Sequence, residues 1–248
     1  GDKQPMKYAH KQGCRQYDIL GAQSRFQGTL PPPMVAEMTH PPSAWKEFDG
    51  IDTSDTVFVA YCQIFIKQDQ AHTVSSSLVR ENFNALRKEM AAVEKERGLP
   101  LIDCYVINPV AAFSMPGFHG HGCFSEFWKE AEKLVDEGLV KNIGVCNFNV
   151  SLLTDLLATA RVKPAVLQIE SHPYLSQKHL VDYARSKQVH VTAFSPLGSA
   201  GYVEMGWTKP TEGAINEACV KAAAAAHGAT PGQVLLRWAL QRGTSAIP

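Results

Sequence analysis

The sequence lacks the features that mark a nucleic-acid binder, a disulfide scaffold or a membrane span. Lys plus Arg and Asp plus Glu each number 24 in 248 residues, so no excess charge attracts nucleic acid or an anionic membrane. The six cysteines stand far apart without a CxxC pair, which argues against disulfides and zinc ribbons. The most apolar helical stretch, ACVKAAAAAHGA, is shorter than the roughly 20 apolar residues of a membrane span. We therefore expect a small-molecule partner and a reducing, cytoplasmic setting.

Apolar runs alternate with helical patterns along the chain. At 45% hydrophobic residues the chain can bury one large core, so we expect a single domain over residues 1–248. The predicted strands are 14–19, 56–62, 101–107, 142–146, 165–169, 189–194 and 244–247, and the predicted helices are 74–96, 124–138, 150–160, 176–187, 213–227 and 231–242. This alternation predicts a parallel sheet, either a (β/α)₈ barrel short of one strand or a doubly wound open sheet. No GxGxxG follows the first strand, which weakens the Rossmann alternative.

The second half of the chain contains three segments with a recognisable pattern, EGLVKNIGVCNFN, PAVLQIESHPYL and VTAFSPLGS. Together they resemble the aldo-keto reductases, most of all the fungal xylose-reductase group, and AHKQGCRQYDI, SDTVFVAYC and LIDCYVINP extend the resemblance more weakly. The resemblance implies an α/β fold, a (β/α)₈ TIM barrel of aldo-keto reductase type. We expect it to be incomplete, because the family's first strand and carboxy-terminal tail have no counterpart in the sequence. Either another segment or a second copy in a homo-oligomer would cover the open barrel edge, or the sequence is a fragment of a longer chain.

The resemblance also assigns four positions to the chemical step. The family uses an aspartate, a tyrosine as general acid, a lysine and a histidine. By register these positions hold Asp18, Gln23, Cys62 and Asn108. Glutamine has no acidic proton to give, and a thiol cannot supply the fixed positive charge that lowers the pKa of a phenol, whereas asparagine occurs at the histidine position in some members. Loss of the acid alone should slow the standard reduction by about 10²- to 10⁴-fold.

The loop FHGHGC, residues 118–123, offers replacement groups at the face where barrel active sites lie. Imidazole titrates near neutrality, so His119 or His121 suits an acid, while Asp18 without its lysine suits a base. The loop's ligands are too close in sequence to complete a zinc tetrahedron unaided, so we expect no metal site. Cys62 has the chemistry of a nucleophile, but a small buried hydrophobe is the plainer interpretation because no evident cation activates its thiolate.

The nicotinamide side of the family pattern is better kept. The resemblance implies that Asn147 and Gln168 contact the carboxamide of NADP(H) and that Phe194 stacks on its ring, with Cys146 in place of the usual serine. The SPLGS loop, which contributes Ser195, Leu197, Gly198 and Ser199, matches the loop over the pyrophosphate. Glycine and hydroxyl residues allow backbone amides to approach phosphate oxygens closely. Because the family's tail is missing from the pattern, we expect NADP(H) binding to be weak or vestigial.

Three functions stay open from the sequence. The leading hypothesis is an enzyme that acts on a small organic metabolite by non-redox acid/base chemistry, such as cyclisation, isomerisation or dehydration. The second is an NADPH-dependent carbonyl reductase in which a histidine replaces the lost acid. The third is an inactive pseudoenzyme that binds a nucleotide or a protein partner.

Overall fold

The computed structural model describes residues 76–88, 102–108, 124–198, 209 and 211–247, and the backbone alone at 16–19, 57–63 and 89–97. The described strands are β1 (Gln16–Ile19), β2 (Val57–Gln63), β3 (Cys104–Asn108), β4 (Asn142–Cys146), β5 (Val166–Glu170), β6 (His190–Phe194) and β7 (Ser245–Ile247). The described helices are α1 (Ser77–Arg97), α2 (Phe124–Asp136), α3 (Val150–Thr159), α4 (Lys178–Ser186), α5 (Ala218–Ala226) and α6 (Pro231–Gln241), with a 3₁₀ turn at Ala214–Asn216. None of these helices is both long enough and apolar enough to cross a membrane.

The chain divides into two compact units, residues 1–144 with 159–163 and residues 145–158 with 164–248. Within each unit the strands follow chain order, β1-β2-β3 in the first and β5-β6-β7 in the second. All the pairings of these strands are parallel, as the alternation of strands and helices predicts. The expectation of one domain over residues 1–248 stays a prediction.

One predicted helix is wrong. Residues 213–227 form a 3₁₀ turn and then α5, because Glu217 between them is extended at φ −61° and ψ 136°. The turn buries Ala214 completely, in a cluster with Val220 and Leu235. The break places this alanine in the core. A continuous helical pattern over residues 213–227 does not predict that burial.

In the first unit, α1 packs an apolar face onto β3. Val79, Phe83 and Leu86 are spaced by three or four residues and are buried, which is the stripe expected of an amphipathic helix. Phe83 meets the ring of Tyr105 edge to face, with ring centroids 5.3 Å apart. The Tyr105 hydroxyl donates a hydrogen bond to the backbone oxygen of Val79 at 3.4 Å, so the polar end of this buried ring has a partner.

Side chains of helix α2 form hydrogen bonds to the backbone of the segment that follows α3. Its Glu132 side chain is buried, and Oε1 accepts hydrogen bonds from the backbone N–H groups of Arg161 at 2.8 Å and Val162 at 2.9 Å. Trp128, on the same helix, donates from Nε1 to the backbone oxygen of Val162 at 2.9 Å. A single carboxylate thus satisfies two backbone donors, which fixes where the segment runs.

We expect Glu132→Ala to lower the free energy of unfolding by at least about 2 kcal/mol, because two partly buried N–H groups lose their acceptor. Urea denaturation followed by circular dichroism measures this. The matched control is Glu130→Ala on the same helix, whose carboxylate pairs with the exposed Lys133 and should cost much less. Equal destabilisation by the two changes would contradict the prediction.

In the second unit, local signals in the sequence set the ends of α6. Thr230 and Gln233 form a capping box, with Gln233 N–H donating to Thr230 Oγ1 at 3.2 Å and Thr230 N–H donating to Gln233 Oε1 at 2.8 Å. Pro231 occupies the first turn, and Gly243 follows the helix at φ 78°. Next to Gly243, Arg185 Nη1 donates to the backbone oxygen of Arg242 at 2.8 Å. These contacts fix the approach to β7.

Candidate cofactor site

The predicted catalytic positions of the first unit lie at the ends of neighbouring strands. Cys62 is the next-to-last residue of β2 and Asn108 is the last of β3, so both lie at the same edge of the sheet, as predicted. The register pairs Cys62 with Ile107 and Gln63 with Asn108, which makes Gln63 the residue level with Asn108. Asp18 lies in β1, paired with Val59.

The described residues leave part of the predicted site untested. For Asp18 and Cys62 only the backbone is described, and Gln23, His119, His121 and Ser199 lie outside the described residues. Their predicted roles stay predictions. Within the described part of the chain, no group of three His, Cys, Asp or Glu side chains is arranged to hold a metal ion.

The second unit brings both predicted carboxamide contacts together around a thiol. Cys146, the last residue of β4, is buried. Asn147 Nδ2 donates to Cys146 Sγ at 3.3 Å, and Sγ donates to Gln168 Oε1 at 3.7 Å. The Asn147 backbone N–H also donates to the backbone oxygen of Gln168 at 2.8 Å. Asparagine, thiol and glutamine therefore form one hydrogen-bonded chain between the end of β4 and the middle of β5.

The backbone of Asn147 explains why the sequence turns here. Its φ of 59° lies in the left-handed region, which asparagine enters more readily than most residues because its short polar side chain bonds locally. This conformation ends β4 and allows the amide to reach back to Cys146 Sγ. The residue type therefore supplies both the turn and a hydrogen-bonding amide.

The loop after β6 is a tight turn with two left-handed residues. Phe194 ends the strand and lies in register with Glu170 at the end of β5. Ser195 has φ 50° and Gly198 has φ 64°, and Gly198 N–H donates to the backbone oxygen of Ser195 at 2.9 Å. Turns that mix helical and left-handed residues make concavities of backbone N–H groups that bind anions. Leu197 secures this turn by packing on the buried cluster of Ala214, Val220 and Leu235.

A part-buried carboxylate and a buried imidazole lie next to this turn. Glu170 Oε1 is 3.1 Å from His172 Nε2, and His172 is only 7% exposed. His172 Nδ1 is fully buried and has no hydrogen-bond partner among the described residues. A Cβ atom added to Gly198 would lie 3.6 Å from this nitrogen, so the turn lies directly against the ring. Leaving such a group unsatisfied costs about 1–3 kcal/mol, which marks it as unusual.

His172, in the motif SHPY, is not among the site residues that the sequence predicts. A signal was present in the motif ESH, where a carboxylate precedes an imidazole by two residues at the end of a strand. The contact with Gly198 joins the ends of β5 and β6, however, and no local pattern contains it.

A surface hydrogen bond connects the segment after His172 to the segment just before α5. The Tyr174 hydroxyl donates to the carboxylate of Glu217, which lies just before α5. This hydrogen bond raises the pKa of Tyr174, because losing the proton would place two negative oxygens side by side. The ring of Tyr174 meets the imidazole of His172 edge to face, with centroids 6.3 Å apart. The Tyr174 ring thus helps to hold the imidazole in place.

This donor set fits a nicotinamide nucleotide. Side-chain amides present both donors and acceptors, which is the complement that another primary amide requires. Asn147 follows β4 and Gln168 lies within β5, and they supply two such amides; Phe194 supplies a flat apolar ring, and the 195–198 turn supplies backbone N–H groups. Two of the three side chains in the hydrogen-bonded chain are neutral amides, which are suited to holding a group in place rather than to transferring a proton.

Comparison of the sequence with known families gives one consistent result. The profile of the Aldo/keto reductase family matches residues 60–248. The chain is 42% identical over 172 residues to 4-dihydromethyl-trisporate dehydrogenase of Mucor mucedo, covering 62% of this chain and 54% of that protein. It is 50% identical over 125 residues to the NAD(P)H-dependent D-xylose reductase of Pachysolen tannophilus, covering 50% of this chain and 39% of that protein. The chain thus spans about half the length of these relatives, or less.

Solved structures agree with the sequence comparison. The aldo-keto reductase AKR2E5 of the silkworm Bombyx mori, complexed with NADPH, matches with a TM-score of 0.72 at 24% identity, covering 98% of this chain and 67% of that one. The aldose reductase of Schistosoma japonicum matches with a TM-score of 0.67 at 27% identity, covering 98% of this chain and 72% of that one. The likeness confirms the predicted fold class, the α/β barrel type of these enzymes, over the doubly wound alternative.

Proposed function

This chain belongs to the aldo/keto reductase family, and from that premise we propose that it binds NADP(H) and acts on a small organic metabolite. The observation that carries the proposal is the hydrogen-bonded chain of Asn147, Cys146 and Gln168. The NADPH present in the silkworm relative's structure supports the same cofactor.

In this proposal each part of the cofactor has its own contacts. Asn147 and Gln168 hold the carboxamide, Phe194 stacks on the nicotinamide ring, and the 195–198 turn, continuing to Ser199, receives the diphosphate. When bound, NADPH supplies a hydride for reduction. The protein groups orient the ring and hold the phosphates, and the Cys146 thiol keeps the two amides aligned with each other.

For the chemical step we propose non-redox acid/base catalysis, such as cyclisation, isomerisation or dehydration. The support is the replacement of the family's acid by Gln23, which has no acidic proton, and of its lysine by Cys62, which has no fixed positive charge. Asp18 then serves as base and His119 or His121 as acid. Asn108 can still donate from its amide to a carbonyl oxygen.

A second candidate is NADPH-dependent reduction of a carbonyl with a histidine as the substitute acid. The relatives favour it, since their names describe a dehydrogenase and D-xylose reductases. A reducing, cytoplasmic setting and a homo-oligomer belong to the proposal as well. The spacing of the six cysteines, without a CxxC pair, supports the reducing setting.

Two measurements on the purified protein test these alternatives. Quenching of protein fluorescence by NADPH reports cofactor binding, and loss of NADPH absorbance with D-xylose and simple aldehydes reports reduction. Binding without oxidation supports the non-redox proposal or the pseudoenzyme, and a product formed from a candidate metabolite separates these two. Oxidation at rates ordinary for the family would refute the non-redox proposal, and absence of binding would refute the cofactor site.

We expect Asp18→Asn to lower turnover of the true substrate by at least about tenfold, because the change keeps the shape of the side chain and removes its basicity. His119→Ala and His121→Ala test the acid in the same assay. Circular dichroism checks that each variant keeps its fold. Full activity in all three variants would show that the chemistry resides elsewhere.

A further inference from the structure

The imidazole of His172 is held at one nitrogen and unsatisfied at the other. A carboxylate only accepts hydrogen bonds, so Nε2, at 3.1 Å from Glu170 Oε1, must carry a proton. In the neutral ring Nδ1 is then a lone pair, buried and without a partner among the described residues. Adding a proton at Nδ1 makes the ring a cation while leaving its bond to Glu170 intact.

The turn over this nitrogen is the one to which the proposed function assigns the cofactor's diphosphate. Gly198 lies directly against the ring, since a Cβ atom there would be 3.6 Å from Nδ1. Segments 170–176 and 195–198 contain no Lys or Arg, so His172 is the group in them that can become positive beside a bound anion. An anion brought close to an imidazole favours its charged form.

The other groups around the imidazole ring of His172 also allow it to carry a positive charge. Glu170, the titratable group bonded to it, stabilises the cation through an opposite charge. Tyr174, whose ring packs at its edge, has a raised pKa because its hydroxyl is bonded to Glu217, so it stays neutral through the range in which imidazole titrates. No described contact of the ring therefore opposes a positive charge on it.

We propose that His172 takes up a proton at Nδ1 when a diphosphate binds at the 195–198 turn, and that this charge strengthens binding. The inference rests on the proposed cofactor site and adds a positioning residue to it. Because binding is coupled to uptake of a proton, the affinity falls as pH rises.

The experiment is calorimetric titration of the protein with ADP-ribose, which carries the diphosphate but no phosphate group that titrates near neutrality. Repeating the titration at pH 7 in buffers of different ionisation enthalpy counts the protons taken up on binding. We expect uptake of about half to one proton per ligand and a Kd that rises at least about fivefold from pH 6 to pH 8.

His172→Gln is the informative variant, because its amide can still donate to Glu170 but cannot take up a proton. We expect a Kd independent of pH and no proton uptake. His179→Gln on α4 is the matched control, since this exposed histidine of the same unit should leave both readings unchanged. Glu170→Gln should reduce the proton uptake without abolishing binding, which gives a second variant if His172→Gln fails to fold.

The possible failures are distinguishable. If ADP-ribose binds the wild-type protein without proton uptake, the inference about His172 is wrong and the proposed cofactor site stands. Proton uptake that persists in His172→Gln likewise overturns the inference. If neither ADP-ribose nor NADPH binds, the proposed cofactor site is itself wrong, and the role of His172 is rejected with it.

Discussion

Replacing Gln168 by methionine is expected to raise the Kd for NADPH at least about tenfold. Methionine keeps the length of the side chain but removes the amide, so the bonds to Cys146 and to the cofactor's carboxamide are both lost. A buried polar site rejects partners that leave its groups unpaired, and each such loss costs about 1–3 kcal/mol. Fluorescence quenching by NADPH measures the change directly.

Two further variants separate the contacts around Gln168. Cys146→Ser keeps a group that donates and accepts, so it should preserve NADPH binding within about threefold. Asn147→Gly removes the second amide but accepts the left-handed backbone at φ 59°, so it should weaken binding without disturbing the turn. An unchanged Kd in both Gln168→Met and Asn147→Gly would show that the carboxamide is bound elsewhere.

The double change Gln23→Tyr with Cys62→Lys is expected to raise NADPH-dependent aldehyde reduction at least about 100-fold. A lysine at position 62 supplies the charge that lowers the pKa of the new phenol, and the phenol supplies the missing acid. Each change alone should do little, because groups that act as a unit are strongly non-additive. The assay is the loss of NADPH absorbance with simple aldehydes.

The strand register provides a matched control for this restoration. Gln63, not Cys62, is level with Asn108, so the pair Gln23→Tyr with Gln63→Lys tests the neighbouring position. Successive residues of a strand point to opposite faces, so only one of the two lysines can reach the acid. A gain with lysine at 63 and none at 62 would show that the alignment is off by one residue. No gain with either, in protein that still binds NADPH, would contradict the restoration.

Most strands were predictable because short β-branched and aromatic runs contain their own signal. β4 has its predicted bounds, whereas β3 begins at Cys104 and not at 101. Asp103 lies just before the regular strand, and its backbone oxygen accepts from Asn142 N–H at 2.9 Å. Of the helix predicted over 213–227, the alanine-rich part is helical from Ala218 to Ala226. The residues before it form a 3₁₀ turn that buries Ala214 against Val220 and Leu235, a tertiary contact that helical preference does not predict.

The sequence predicted only those site residues that the resemblance to the aldo-keto reductases assigns. Asn147 and Gln168 were predicted as a pair and lie together, but the bridging by Cys146 depends on the spacing of β4 and β5. The unsatisfied nitrogen of His172 depends on Gly198, which belongs to another loop. Contacts between strand ends are set by tertiary packing, and a single sequence does not encode them in any local pattern.

Gly243 has a consequence for how this region tolerates sequence change. A Cβ atom there would lie 2.8 Å from Arg185 Cζ, and the φ of 78° strains other residue types in addition. The guanidinium therefore occupies the space that a side chain would need. In a library randomised at both positions, we expect the two to covary: glycine at 243 should be selected wherever arginine stays at 185, and asparagine at 243 should appear mainly together with a shorter residue at 185. Single-site scans would record position 243 as intolerant and miss the exchange that relieves it.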